Sequence, residues 1–334
     1  MTTPVIELPG PEQGAATAVT GASAEIVGRS PGQIAWRRLK RDKVAIGGGI
    51  FIIVLIVVTL LGPYIIKWLG HPPNEYHLDT LDPTYLTPKG SFGGITKDFL
   101  LGVEPNTGRD TFSRIIEGAQ VSLTVALLAT VVSVAFGVVA GITAGYFGGK
   151  IDAAISRLMD GLLAFPVLLF AIALGAVMVG VDKVWFVSGR WLSIAVLVTI
   201  IGFFNWPYIG RIIRGQTLSL REKEFVDAAR SLGAGPGHII FKQLLPNLAA
   251  PIIVYATLII PSNITFEASL SFLGVGVQPP TSSWGAMLDT AVNTYSIDPV
   301  FMLVPGTALF LTVLAFNLLG DGLRDALDPK AGRQ

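Results

Sequence analysis

Residues 44–66 read Val44-Ala-Ile-Gly-Gly-Gly-Ile-Phe-Ile-Ile-Val-Leu-Ile-Val-Val-Thr-Leu-Leu-Gly-Pro-Tyr-Ile-Ile66. Roughly 20 helical residues cross about 30 Å of hydrocarbon, and this stretch is that long without one charge. A helix that is apolar all round has no water-facing side, so it is predicted to span a membrane. Five further apolar stretches follow: Val121 to about Tyr146, Leu158 to Val179, Leu192 to about Ile213, about Leu248 to Leu273, and Val300 to Leu319. The fold class expected is an all-α polytopic membrane protein with six transmembrane helices. Pro166 and Pro261 fall within spans, where proline more often kinks a helix than ends it. Gly47-Gly48-Gly49 is read as local flexibility near one interface.

Composition agrees. Of 334 residues, 51% are hydrophobic and 14% charged, against about 25% charged in soluble domains. The net charge of +1 argues against a nucleic-acid partner. With no cysteine there is neither a disulfide framework nor a thiolate metal site. His71, His77 and His238 have no metal-ligand spacing, so no metal site is expected. No phosphate-binding Gly-x4-Gly-Lys-Ser/Thr loop occurs, so the chain itself is not expected to hydrolyse ATP.

Most of the 24 Lys and Arg residues fall on one side if both termini are cytoplasmic. That orientation divides the chain as follows. Residues 1–30 form a disordered cytoplasmic tail without a signal-peptide core, and 31–43 a basic interfacial segment. The first span, 44–66, leads to an external loop, 67–120. Residues 121–320 are the helical core, with a cytoplasmic loop at 211–246, and 321–334 a cytoplasmic tail. In the last external loop, Ser282 or Ser283 is expected to cap a short interfacial helix with Trp284 at headgroup depth.

The 211–246 loop carries the chemistry. Phe225, Ala228, Ala229 and Leu232 recur at i, i+3, i+4 and i+7, one apolar face of a short helix. Glu222, Glu224 and Asp227 come early, where the helix dipole favours acids, and Gly233 supplies the stop. A second helix, about His238 to Leu245, is expected to end at Pro246. Two abutting alanines let another surface approach the backbone closely. From pattern alone, docking to a partner and packing beneath the bundle are equally consistent.

Asp227-Ala228-Ala229, Gly233 and Leu245-Pro246 at this spacing resemble the EAA loop of ABC importer permeases. Asp227 stands for the family's Glu and Gln243 for its Ile. Further stretches resemble the C-type subunit of dipeptide, oligopeptide and nickel importers: Gly108-Arg109-Asp110-Thr111-Phe112-Ser113-Arg114, Arg157-Leu158-Met159-Asp160 with Phe165-Pro166, Glu267-Ala268-Ser269-Leu270-Ser271-Phe272-Leu273-Gly274, and Ser283-Trp284-Gly285. The resemblance covers about Trp36 to Pro329. It implies a type I importer permease fold, with Glu224, Phe225, Asp227, Ala228, Ala229, Leu232 and Gly233 forming a coupling helix. It also implies a second, B-type permease, two ATPase domains that use ATP and Mg, and an external substrate-binding protein. No cofactor is expected on this chain. The substrate expected is a di- or oligopeptide, with nickel or another small solute as the alternative.

Four other features stand out. Ala129, Ser133, Gly137, Gly141 and Gly145 form a small-residue stripe, read either as internal packing or as the seam with the partner permease. Glu267 is an intramembrane acid with a structural or a pathway role. Asn205, before Trp206-Pro207, either lines a pathway or relieves a kink. Asp160 is expected to pair with Arg157. A stand-alone secondary transporter or channel is the rival class; it would need several buried charges or broken-helix repeats, and only Glu267 lies deep.

Overall fold

The computed structural model describes residues 31–178, 181, 183–184 and 187–328. The expected tail at 1–30 and the last residues of the chain lie outside this set. Helix α1 (Pro31–Leu39) is short and basic, and α2 (Lys43–Leu60) is the first long apolar helix. Asp42 caps α2, its carboxylate accepting from the Val44 and Ala45 amides at 2.9 and 3.0 Å. The expected single span to Ile66 is instead broken at Leu61, and α3 (Gly62–Leu69) starts afresh. Pro63 cannot donate to the Thr59 carbonyl. The Gln120 side-chain amide donates to it instead, at 2.8 Å.

Helix α4 (Thr111–Phe147) begins ten residues before the expected span. Asp110 is the reason. Its carboxylate caps the Phe112 amide and also accepts from the His71 amide and the Ser113 hydroxyl. At 37 residues α4 is about 55 Å long, so its first turns stand on the external loop. That loop has its own small core of Leu81, Phe99 and Val103. Glu104, fully buried, accepts from Arg109 Nε at 2.5 Å and lies 3.4 Å from Arg114 Nε. His71, His77 and Phe99 stack together as packing groups.

The stretch read as one span at 158–179 is a bent pair. Helix α5 (Gly149–Leu163) and α6 (Val167–Met178) meet at 69°. Pro166 disfavours the helical conformation at Phe165, and Phe165 fills the elbow by stacking on Phe204 at 5.6 Å between centroids. Two short antiparallel strands, β1 (Lys183–Val184) and β2 (Val187–Ser188), precede α7 (Arg190–Arg221). Helix α8 (Glu224–Ser231) follows. A turn at α9 (Pro236–His238) continues through a π-helical segment at Ile239–Leu244 into α10 (Leu245–Phe272). Pro246 therefore ends nothing: the helix runs through it from the π-helical segment into α10.

Helix α11 (Trp284–Val292) precedes α12 (Pro299–Leu327). Ser283 caps α11 through the Ala286 amide at 3.3 Å. Trp284 is not at an interface but buried against α4, its indole donating to the Ile115 carbonyl at 3.1 Å.

Among the described residues five helices are long and apolar enough to cross a membrane, or six if the bent pair is one span. Helices α4 and α7 run parallel at the centre, since Gly137, Gly141 and Gly145 meet Ile209, Gly210 and Thr217 in ascending order. The Ser133 hydroxyl donates to the Gly202 carbonyl at 3.1 Å along the same seam. The small-residue stripe is thus filled by α7 of this chain and is not free for a partner permease. Gly48 likewise lies against the Ala315 carbonyl of α12, a close approach rather than a flexible joint. Arg38 donates to the Asp328 carbonyl at 2.8 Å, so both described ends lie at one end of the bundle.

Candidate functional site

Helix α8 splits its small and apolar residues between two directions. Val226 and Ala229 are buried, and Val226 packs with Ile213 of α7 and with Ile239, Leu244 and Leu248 at the foot of α10. Ala228 is exposed, Phe225 is 37% exposed and Leu232 89%. The four-residue face read from periodicity is therefore divided. Ala229 belongs to the anchor, with Val226, which the pattern missed. Phe225, Ala228 and Leu232 form an outward apolar surface edged by Glu224 and Asp227. An apolar face left in water beside acids marks an interaction surface.

The C-terminus of α8 is closed by a Schellman motif. Gly233 takes φ +84°, its amide donates to the Arg230 carbonyl, and the Ala234 amide donates back to Ala229. Only glycine holds that φ at low cost, so Gly233 sets the direction in which the chain leaves α8. The exposed Asp227–Arg230 pair at 3.2 Å adds little stability.

Three arginines tie the root of α8 to the bundle. Arg221 donates to the Gly145 and Tyr146 carbonyls at 3.0 and 3.2 Å, placing a cation on the C-terminus of α4. Arg214 holds Asp152 of α5 through two nitrogens, one at 2.7 Å. Arg211 holds Asp160, so Asp160 pairs across to α7 and not with Arg157 as expected. These contacts fix the end of α7 from which α8 departs to α4 and α5.

The intramembrane polar residues lie elsewhere. Glu267 is wholly buried; Ser271 donates to its carboxylate at 2.7 Å, and Ser122 and Ser283 stand beside it. It joins α10 to α4 and to the cap of α11. Asn205 donates to Asn263 at 2.8 Å, and Asn263 donates to Thr130 at 2.9 Å. This chain links α7, α10 and α4 through Asn263, a residue missed in the sequence because no Trp-Pro pair follows it as Trp206-Pro207 follows Asn205. Among the described residues no group of three acids or histidines could hold a metal.

Comparison with known proteins bears on this arrangement. The family described as binding-protein-dependent transport system inner membrane component matches residues 137–333. The N-terminal TM domain of oligopeptide transport permease C matches residues 30–88. The glutathione transport system permease protein GsiD of Shigella dysenteriae serotype 1 (strain Sd197) is 41% identical over 302 residues, 90% of this chain and 91% of its own. GsiD of Escherichia coli O157:H7 matches to the same extent. A chain of the methionine ABC transporter MetNI, solved in inward-facing conformations, superposes with a TM-score of 0.50 at 18% identity. That match covers 65% of this chain and 97% of the other, and it shows a shared fold. The rival reading as a stand-alone transporter or channel is set aside by these matches. The chain belongs to the inner membrane components of binding-protein-dependent transport systems: it is a multi-pass ABC importer permease of the oligopeptide permease C type.

Proposed function

We infer that this permease forms half of a translocation path for short peptides. In this reading the spans number six, with α5 and α6 together making one. Both termini and α8 face the cytoplasm. The Arg38–Asp328 contact and the cations at that end of the bundle support this orientation. A B-type permease forms the other wall, two ATPase domains use ATP and Mg to drive transport, and an external binding protein delivers solute. The relatives named for glutathione, itself a tripeptide, favour a peptide-sized cargo.

The observation that carries the reading is the outward surface of Phe225, Ala228 and Leu232. It is small enough at Ala228 to seat in a cleft, and it is anchored from behind by Val226 and Ala229. ATP-driven closure of the ATPases moves α8, and the arginine ties to α4 and α5 carry that motion into the bundle. The path then alternates between inward and outward states, each favoured by a different nucleotide state.

Purification in mild detergent is expected to bring down an ATPase, and proteoliposomes of the complex to accumulate labelled tripeptide only with ATP and binding protein. Accumulation of nickel but not peptide would replace the substrate assignment. Accumulation without any ATPase would remove the reading altogether.

A further inference from the structure

The outward side of α10 carries a polar stripe where an apolar one is required for contact with lipid. Ser262, Thr265 and Ser269 recur at i, i+3 and i+7, one face of the helix. Ser262 and Thr265 are exposed, as is Asn317 on the neighbouring α12. With Phe266 and Val313 these residues line a groove of about 390 Å³.

Its depth follows from packing. Ile52, midway along α2, shares one core cluster with Ile260, Ile264, Ala315 and Phe316. Ser262 and Asn317 stand within two residues of these, so the groove lies level with the centre of the apolar slab. At that level α2 exposes Ile53 and Val54, as a lipid-facing helix does. A primary amide facing hydrocarbon loses its hydrogen bonds to water and gains none, so such groups face protein or a water-filled cavity.

The hydrogen bonding narrows the occupant. Thr265 and Ser269 donate to carbonyls of their own helix, at 2.9 and 2.8 Å, which leaves their oxygens free to accept. Ser262 and Asn317 have no hydrogen-bond partner among the described residues, so both retain donors and acceptors. No charged group lines the groove. The groove is shallow and open on its outer side.

We propose that this groove is the solute-facing wall of the path and that it binds the uncharged main chain of a short peptide. Ser262 and Asn317 supply donors and acceptors there, and Thr265 and Ser269 acceptors. This deepens the peptide-importer reading and rests on it. Neutral donors and acceptors match amides common to all peptides and are indifferent to side-chain sequence.

The chain has no cysteine, so single cysteines report cleanly. Ser262→Cys, Thr265→Cys and Asn317→Cys are made in the assembled importer in lipid nanodiscs, each checked for ATP-dependent activity. They are compared with Ile53→Cys and Val54→Cys. A charged, membrane-impermeant thiol reagent is expected to label the three groove positions at least tenfold faster than the α2 pair. Trialanine, which has no competing thiol, is expected to slow groove labelling severalfold. Equal, slow labelling at all five positions overturns the groove whether or not peptide is taken up. Disulfide or short-linker cross-links to the second permease, with no reagent access, make the face a subunit seam and also overturn it. Labelling unchanged by trialanine in a complex that imports trialanine overturns main-chain binding. Absent peptide uptake, with the groove still labelled selectively, instead fails the substrate reading and leaves the water-lined wall standing.

Discussion

Gly141 of α4 lies directly on the Gly210 carbonyl of α7: a Cβ placed on Gly141 would stand 2.7 Å from that oxygen and 2.9 Å from the Ile213 Cβ. Two helix backbones meet there with no side chain between them. Gly141→Val must part α4 and α7 or shift one along the other. Overpacking of this kind costs about 1–3 kcal/mol, so the detergent-solubilised complex is expected to melt several degrees lower. Gly161→Ala, on an exposed part of α5 with nothing within 4 Å of the added methyl, is expected to hold or slightly raise the melting temperature.

The two sides of α8 are expected to respond differently. Val226→Asp places a carboxylate in a fully buried apolar site and costs several kcal/mol unless α8 swings out. Limited proteolysis should then cut between Arg221 and Pro236. Leu232→Glu changes a side chain that is 89% exposed. It should leave both the proteolysis pattern and the melting temperature unchanged, while lowering ATP-driven uptake at least tenfold.

That contrast shows how far the sequence could be read. The apolar runs announce the spans because lipid tolerates no other composition, and the acids before Phe225 and the glycine at 233 mark α8 closely. Periodicity reports which residues share a face, however, not which way the face points. The inward side of α8 is set by Val226, which packs in one cluster with Ile213, Leu244 and Leu248, and Ala229 is buried with it. The bend before Pro166 and the early start of α4 depend on groups distant in sequence, such as Phe204 behind Phe165 and His71 on Asp110. The Asp110 cap was itself legible, as a short acidic residue ahead of a helical run. The groove on α10 was not, because whether a lone serine or asparagine faces outward depends on the neighbouring helices.

Asn263 receives from Asn205 and donates to Thr130. Hydrogen bonds between membrane helices are worth about 0.6 kcal/mol on average, with a maximum near 1.7. Asn263→Leu is expected to lower the melting temperature modestly. Asn205→Leu made on top of it should cost less than it does alone, because its partner is already gone. A double-mutant cycle measures this coupling, and additive losses would disprove it.

Glu104 is wholly buried between Arg109 and Arg114 in the external loop. Removing one member of a buried pair leaves the others uncompensated and typically costs 3–5 kcal/mol. Glu104→Ala is therefore expected to open the segment from His71 to Asp110. The readout is faster protease cleavage within it, with helical content by circular dichroism unchanged.

The account stands on α8 as the joint to an energy-supplying subunit, and proximity tests that most directly. Single cysteines at Phe225, Ala228 and Leu232, in a chain that otherwise has none, are joined through a thiol-to-amine linker in the intact importer. The account predicts a product containing an ATPase subunit from each of the three, and none from Tyr85→Cys in the external loop. An assembled, active importer that gives no ATPase product from any of the three α8 positions would contradict it.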